Sequence, residues 1–265
     1  MIKNMRQIIL IFALMILGVS SCKYEKLLKS TDYKDKYHKA MAYYNEGDYM
    51  HASGLFDQLR PILRATKYAD SLFFYNAYCS YNTKDYILAA HYFEEFYKTF
   101  GNSPFATEAE YMSAYCKYKM SPRISLEQSA TYNAINSFGL FITRHPDNEK
   151  TYECNNLIIE LKNKLSEKSF ENAKLYYNMG KYKSAIIALN NSIEDFPDTK
   201  FREEIMFLIL KSNYLLASNS VINKRIERFQ STVDEYYSFS NEFPESKYIR
   251  QAKNIYKVSN KVLEN

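Results

Sequence analysis

Apolar residues recur along this chain at spacings of three and four, in long stretches parted by short polar breaks, and that spacing predicts amphipathic helices. The stretches also repeat one another. Tyr33–Thr66 carries Ala40, Tyr43, Gly47, Asp48, Tyr49, Ala52 and Phe56, and Asp70–Ser103 carries Ala77, Asp85, Tyr86, Ala89 and Phe93 at matching offsets. Ser166–Thr199 repeats the pattern with Ala173, Tyr176, Gly180, Tyr182, Ala185, Leu189 and Pro197. A period of about 34 residues is the length of one helical hairpin. Small residues stand where two helices cross closely, large aromatics wedge between them, and Gly47, Lys84 or Gly180 marks the turn.

Two longer units fit the same scheme. They are Thr107–Asn148, with Ala114, Ala134, Phe138, Phe141 and Pro146, and Phe201–Ser246, with Phe229, Tyr236, Phe239 and Pro244. Each is expected to hold its extra residues between its two helices. Ser103-Pro104 predicts a cap followed by Pro at the first helical position, and Pro146, Pro197 and Pro244 each follow a helix end. Tyr248–Glu264 reads as a closing helix, with Arg250, Lys253, Lys257 and Lys261 on its wet face. The offsets resemble the tetratricopeptide repeat. The expected fold is therefore all-α, an α-solenoid of about five such hairpins with a C-terminal closing helix, in one repeat domain over residues 33–265.

The first 21 residues read as a lipoprotein signal peptide. Lys3 and Arg6 precede an apolar run from Ile8 to Leu17, too short for a permanent span, and Gly18-Val19-Ser20-Ser21 leads into Cys22. That ending resembles a lipobox, which implies acylation of Cys22 and cleavage before it. Residues 22–32 are then a lipid anchor and polar tether. Three acyl chains, at about 0.8 kcal/mol per buried CH₂, make release negligible. The basic stretch Lys23-Tyr24-Glu25-Lys26 favours the periplasmic side of an outer membrane over export to the outer face.

Composition sharpens this picture. The chain has 26 Tyr and 17 Phe against only 6 Gly and 6 Pro, which suits long helices and partly wet, partly buried surfaces. Once Lys3 and Arg6 are set aside, 33 basic residues face 30 acidic ones with no basic stripe, so no nucleic-acid partner is expected. Cys79, Cys116 and Cys154 lack paired spacing and read as buried apolar residues, with a disulfide between two of them left open. His38, His51, His91 and His145 are scattered, and no phosphate loop, nucleophile elbow or zinc motif occurs; even His91 with Glu94 and Glu95 reads as a solvated helix face. The chain is expected to be a scaffold and not an enzyme, with no cofactor and no metal.

The candidate site is the concave face. The fifth, ninth and twelfth positions of the first three hairpins are Tyr37, Met41 and Tyr44, then Phe74, Tyr78 and Tyr81, then Tyr111, Tyr115 and Tyr118. They predict an aromatic groove for an extended or partly folded apolar peptide, weighed against plain bracing between hairpins. Lys174 at the ninth position of the fourth hairpin would end it.

The segment from Ser121-Pro122-Arg123 through Leu126-Glu127-Gln128 to Thr131, followed by Ala134-Ile135, Phe138 and Phe141, resembles the third-repeat signature of the outer-membrane assembly factor BamD (YfiO-like) lipoproteins. Arg225, Glu227, Arg228, Phe229, Tyr236, Phe239 and Phe243-Pro244-Glu245-Ser246 are similar to its fifth repeat. The resemblance implies a lipid-anchored partner of the BamA-like barrel insertase that helps fold unfolded β-barrel proteins into the outer membrane. It implies that C-terminal repeats, with Arg225, Glu227 and Arg228, bind the insertase, and that N-terminal repeats receive substrate. Arg60-Pro61 and Phe100-Gly101-Asn102-Ser103 depart from the family pattern. The alternative reading is an envelope lipoprotein of the same fold that organises cell-wall synthesis.

Overall fold

The computed structural model describes residues 23–264, and within them every regular element is a helix. Residues 23–28 form a short helix, α1. Hairpins follow: α2 (Tyr33–Asn45) with α3 (Tyr49–Leu63), α4 (Ala69–Asn82) with α5 (Tyr86–Thr99), and α6 (Ala106–Lys119) with α7 (Ser129–Arg144). Then come α8 (Thr151–Asn178) with α9 (Tyr182–Asp195), α10 (Arg202–Ser218) with α11 (Ile222–Glu242), and the closing helix α12 (Ile249–Leu263).

The chain divides into two compact units. Among the described residues, the first comprises 23–121 together with Ser129–Ile158; the second comprises Pro122–Gln128 and 159–264. Phe56, Phe93, Phe96, Phe138 and Phe141 are fully buried in the first unit, each contributing about 1.5–3 kcal/mol by leaving water. In the second, Phe170, Ala173, Ala185, Leu189, Ile205 and Ile209 form one cluster across α8, α9 and α10. Phe207, Leu210, Phe239 and Ala252 form another under α12.

Tight turns between helices of a hairpin follow one design. Gly47, Lys84 and Gly180 take the left-handed conformation, with φ of 81°, 64° and 71°. In each turn the next residue's N–H reaches back over the helix end: Asp48 to the Tyr43 carbonyl (2.8 Å), Asp85 to Ser80 (3.0 Å) and Lys181 to Tyr176 (2.9 Å). Such bonds satisfy carbonyls that a helix end leaves orphaned. Asp48 and Asp85 then accept from the His51 and Leu88 amides and so cap the second helix.

Connections from one hairpin to the next, and from the fifth to the closing helix, share a second design. Thr66, Ser103, Asn148, Thr199 and Ser246 each accept, through a side-chain oxygen, the N–H two residues on, at 2.9–3.3 Å. This corrects the cap expected at Ser103-Pro104. The Ser103 hydroxyl makes a local turn, and α6 starts at Ala106.

Other expectations shift too. The nine residues 120–128 do separate α6 from α7, but only 219–221 separate α10 from α11, and the fifth hairpin's extra length goes into its helices. Helix α8 begins at Thr151, well before the expected repeat start at Ser166, and runs for 28 residues. Residues 1–22, with the signal peptide and Cys22, lie outside the described residues.

Candidate aromatic interaction surface

The nine predicted groove residues separate into two sets. Tyr37, Phe74 and Tyr111 are 7%, 6% and 4% exposed, which corrects their expected place on the open face. Their rings wedge between hairpins. Tyr37 packs against Phe56 and Tyr68, and its hydroxyl shares a 2.7 Å hydrogen bond with Ser71. Phe74 stacks on Phe105 at 4.5 Å. Tyr111 packs on Phe141, and its hydroxyl donates to Glu153 at 2.9 Å. These fifth positions brace.

Met41, Tyr44, Tyr78, Tyr81, Tyr115 and Tyr118 are half-buried, so each presents an edge to solvent. The rings form a ladder through the first unit. From Tyr49 the contacts run to Tyr44 (5.6 Å), Tyr75 (4.8 Å), Phe74 (5.7 Å) and Tyr78 (5.0 Å). They continue to Tyr81 (6.2 Å), Tyr115 (6.4 Å) and Tyr118 (5.6 Å). Every step lies in the range at which aromatic pairs attract beyond their buried area. Tyr49 and Tyr75 were not among the expected groove residues. Tyr75 fills the gap between Tyr44 and Phe74, and an aromatic on each side of the brace position was the available signal. Lys119 was also missed; its ammonium lies over Tyr115 at 4.8 Å and Tyr118 at 5.6 Å.

Burial sets the electrostatics of the ladder. It pushes the Tyr44 hydroxyl up to about 12. Burial and then the neighbouring Glu108 carboxylate raise Tyr78, whose hydroxyl donates to Glu108 at 2.8 Å. Tyr81 is raised by burial as well. All three stay protonated at neutral pH; Tyr78 commits its one proton to Glu108, which leaves Tyr44 and Tyr81 to donate. The surface offers apolar faces and hydroxyls, with no charged side chain from the predicted set.

In the fourth hairpin Lys174 leans over the Phe170 ring at 5.0 Å and bonds Glu204 at 2.7 Å. On α11, Arg225 and Glu227 are exposed, whereas Arg228 is half-buried and its guanidinium donates to the Ser220 hydroxyl. Arg228 therefore clamps the α10–α11 turn.

The carboxylates weighed beside His91 are otherwise engaged. Glu94 pairs with Lys98 and Lys117, and Glu95 with Arg60, so neither is free to serve the exposed His91. Cys79, Cys116 and Cys154 are free thiols, fully buried, pushed up by burial to about 12, 12 and 11. Among the described residues no cluster of His, Cys, Asp and Glu could hold a metal ion, and no helix is long and apolar enough to cross a membrane.

A family model described as YfiO, outer membrane lipoprotein, matches residues 29–229, from the end of α1 into α11. The chain belongs to the YfiO family of outer membrane lipoproteins. The match contains the whole aromatic ladder and the Ser121–Thr131 segment that carries the family resemblance. Within that segment Gln128 is buried, and its amide donates to the Arg123 and Leu126 carbonyls at 2.9 Å each; Ser121 and Thr131 share a 2.6 Å bond between hydroxyls. The signature residues thus shape the long third turn. No curated protein matches the chain. Among solved structures, a TPR repeats protein from Bacteroides fragilis is 15% identical over 86% of this chain and 99% of its own, with a TM-score of 0.41.

Proposed function

We propose that this chain is a lipid-anchored scaffold on the periplasmic side of the outer membrane, serving the machinery that folds and inserts β-barrel proteins there. Its binding partners are a BamA-like insertase and unfolded barrel proteins. Membership of the YfiO family is the observation that carries this reading. Cys22, acylated, supplies the membrane attachment. Arg225 and Glu227, exposed beside the clamp that Arg228 makes, offer charges to the insertase.

Support for substrate contact comes from the ladder. Barrel precursors reach the membrane as extended chains whose strands alternate apolar and polar side chains. Of the half-buried rings, Tyr78, Tyr81 and Tyr115 follow one another at 6.2 Å and 6.4 Å, close to the spacing of alternate side chains along such a strand, about 6.6 Å. Depletion of the protein in its own cells tests the proposal. Folded, heat-modifiable barrel proteins in the outer membrane should fall while periplasmic precursors accumulate; unchanged barrel levels would overturn it.

A further inference from the structure

The polar tether expected at residues 22–32 is, over 23–28, a docked helix. Tyr24, Leu27 and Leu28 are half-buried, and Lys23, Glu25 and Lys26 face solvent. The Tyr24 ring sits 4.1 Å from His51 and 6.0 Å from Tyr43, and its hydroxyl donates to the His51 carbonyl at 3.3 Å. Gly54 makes this possible, because a Cβ there would run into the Tyr24 hydroxyl. At the other end of α1, the buried Lys36 ammonium donates to the Leu28 carbonyl and to Gln58, at 2.9 Å each. A cation on the last carbonyls of a helix is the favourable sign for its dipole.

Tyr43 and His51 flank the first hairpin turn at Gly47, so the start of α1, where the anchor precedes it, is pinned near that turn, and its end runs back toward Lys36. Cys22 precedes Tyr24 by two residues, which allows no more than about 7 Å of backbone between the anchor and the pinned ring. That same turn edge carries exposed apolar side chains beside the polar turn residues Glu46, Lys84 and Asp85. Met50 is 74% exposed and Ile87 75%, and they hold equivalent places, each following the Tyr that opens the second helix of its hairpin. Leu88, beside Ile87, is 37% exposed.

We propose that this turn edge of the first unit lies on the lipid surface, with α1 as a strut that fixes it there. The inference rests on the acylation of Cys22 and adds an orientation to it. The acyl chains bring the edge to the bilayer, Met50, Ile87 and Leu88 enter the boundary between headgroups and acyl chains, and Lys23, Lys26 and Lys84 meet lipid phosphates. Exposed apolar residues at two successive equivalent turns, the first of them next to the His51 on which Tyr24 docks, fit a lipid surface.

Full-length acylated protein in vesicles of phosphatidylethanolamine and phosphatidylglycerol, doped with brominated lipid, tests this. A bimane label is placed through Met50→Cys, Ile87→Cys or, at the far end of the first hairpin, Ala65→Cys; the buried native thiols do not compete. Bromolipid should quench the labels at 50 and 87 at least about twofold more than the label at 65. Gly54→Ala, which unseats Tyr24, should erase the difference while flotation with the vesicles persists, and Tyr24→Ala should reproduce that result. Equal quenching at all three positions in floating protein would overturn the orientation and leave the anchor intact. Protein that does not float would overturn acylation of Cys22 and this inference together.

Discussion

The Tyr78 hydroxyl donates to the Glu108 carboxylate across 2.8 Å, and the bond joins the second hairpin to the third. Tyr111 repeats the device toward Glu153 at 2.9 Å, and Tyr37 toward Ser71 at 2.7 Å. Each bond fixes the register of one hairpin on the next. Tyr78→Phe and Tyr111→Phe should each lower stability by about 1–2 kcal/mol, because the carboxylate loses a partly desolvated donor. Urea midpoints that match the unsubstituted protein would show the bonds to be ornamental.

These hydroxyls also set the response to alkali. Tyr78 and Tyr111 have folded values raised above the ordinary 10.0, by burial first and by their glutamate partners. A raised folded value leaves their contribution fully present below pH 10 and removes it as pH climbs beyond, since the unfolded chain then ionises first. Urea midpoints should be flat through neutral pH and fall steeply above the ordinary tyrosine range, with less of that fall in the Tyr78→Phe, Tyr111→Phe double variant.

Lys84 occupies with a side chain the conformation that Gly47 and Gly180 occupy without one, at φ 64°. Lys84→Gly should therefore stabilise the protein by about 1 kcal/mol, and Gly47→Ala or Gly180→Ala should cost about the same. Chemical unfolding with an unchanged denaturant slope is the check.

Tyr81 and Tyr115 bridge the second and third hairpins on the exposed edge of the ladder, at 6.4 Å, without the hydroxyl–carboxylate bond that holds Tyr78. Tyr81→Ser combined with Tyr115→Ser should weaken binding of an extended barrel-strand peptide about tenfold or more, with the circular-dichroism spectrum unchanged. Fluorescence anisotropy of a labelled peptide reads this, and equal affinity would remove the ladder from substrate contact.

Local grammar was legible in the sequence. Gly47, Gly180 and the Asp-Tyr pairs mark turns, Pro146, Pro197 and Pro244 mark helix ends, and Ala40, Ala77 and Ala114 mark close crossings, because each reports a backbone constraint that its own residue type satisfies. Bracing was weighed for the aromatic positions from the sequence, but the partners that hold Tyr37 and Tyr111, Ser71 and Glu153, lie on a following helix and were not legible. Docking of α1 depends on what Gly54 lacks, which a reading of 23–32 alone does not reveal. The length of α8 could have been read: no Gly or Pro stands between Pro146 and Gly180.

The central claim is membership of a barrel-assembly complex, and affinity purification of the tagged lipoprotein from outer membranes in mild detergent tests it most directly. The account predicts that a large barrel protein with repeated periplasmic domains co-purifies in stoichiometric amount, and that charge reversal at Arg225 and Glu227 together reduces its recovery. Purification of cell-wall synthesis proteins in its place would contradict the account.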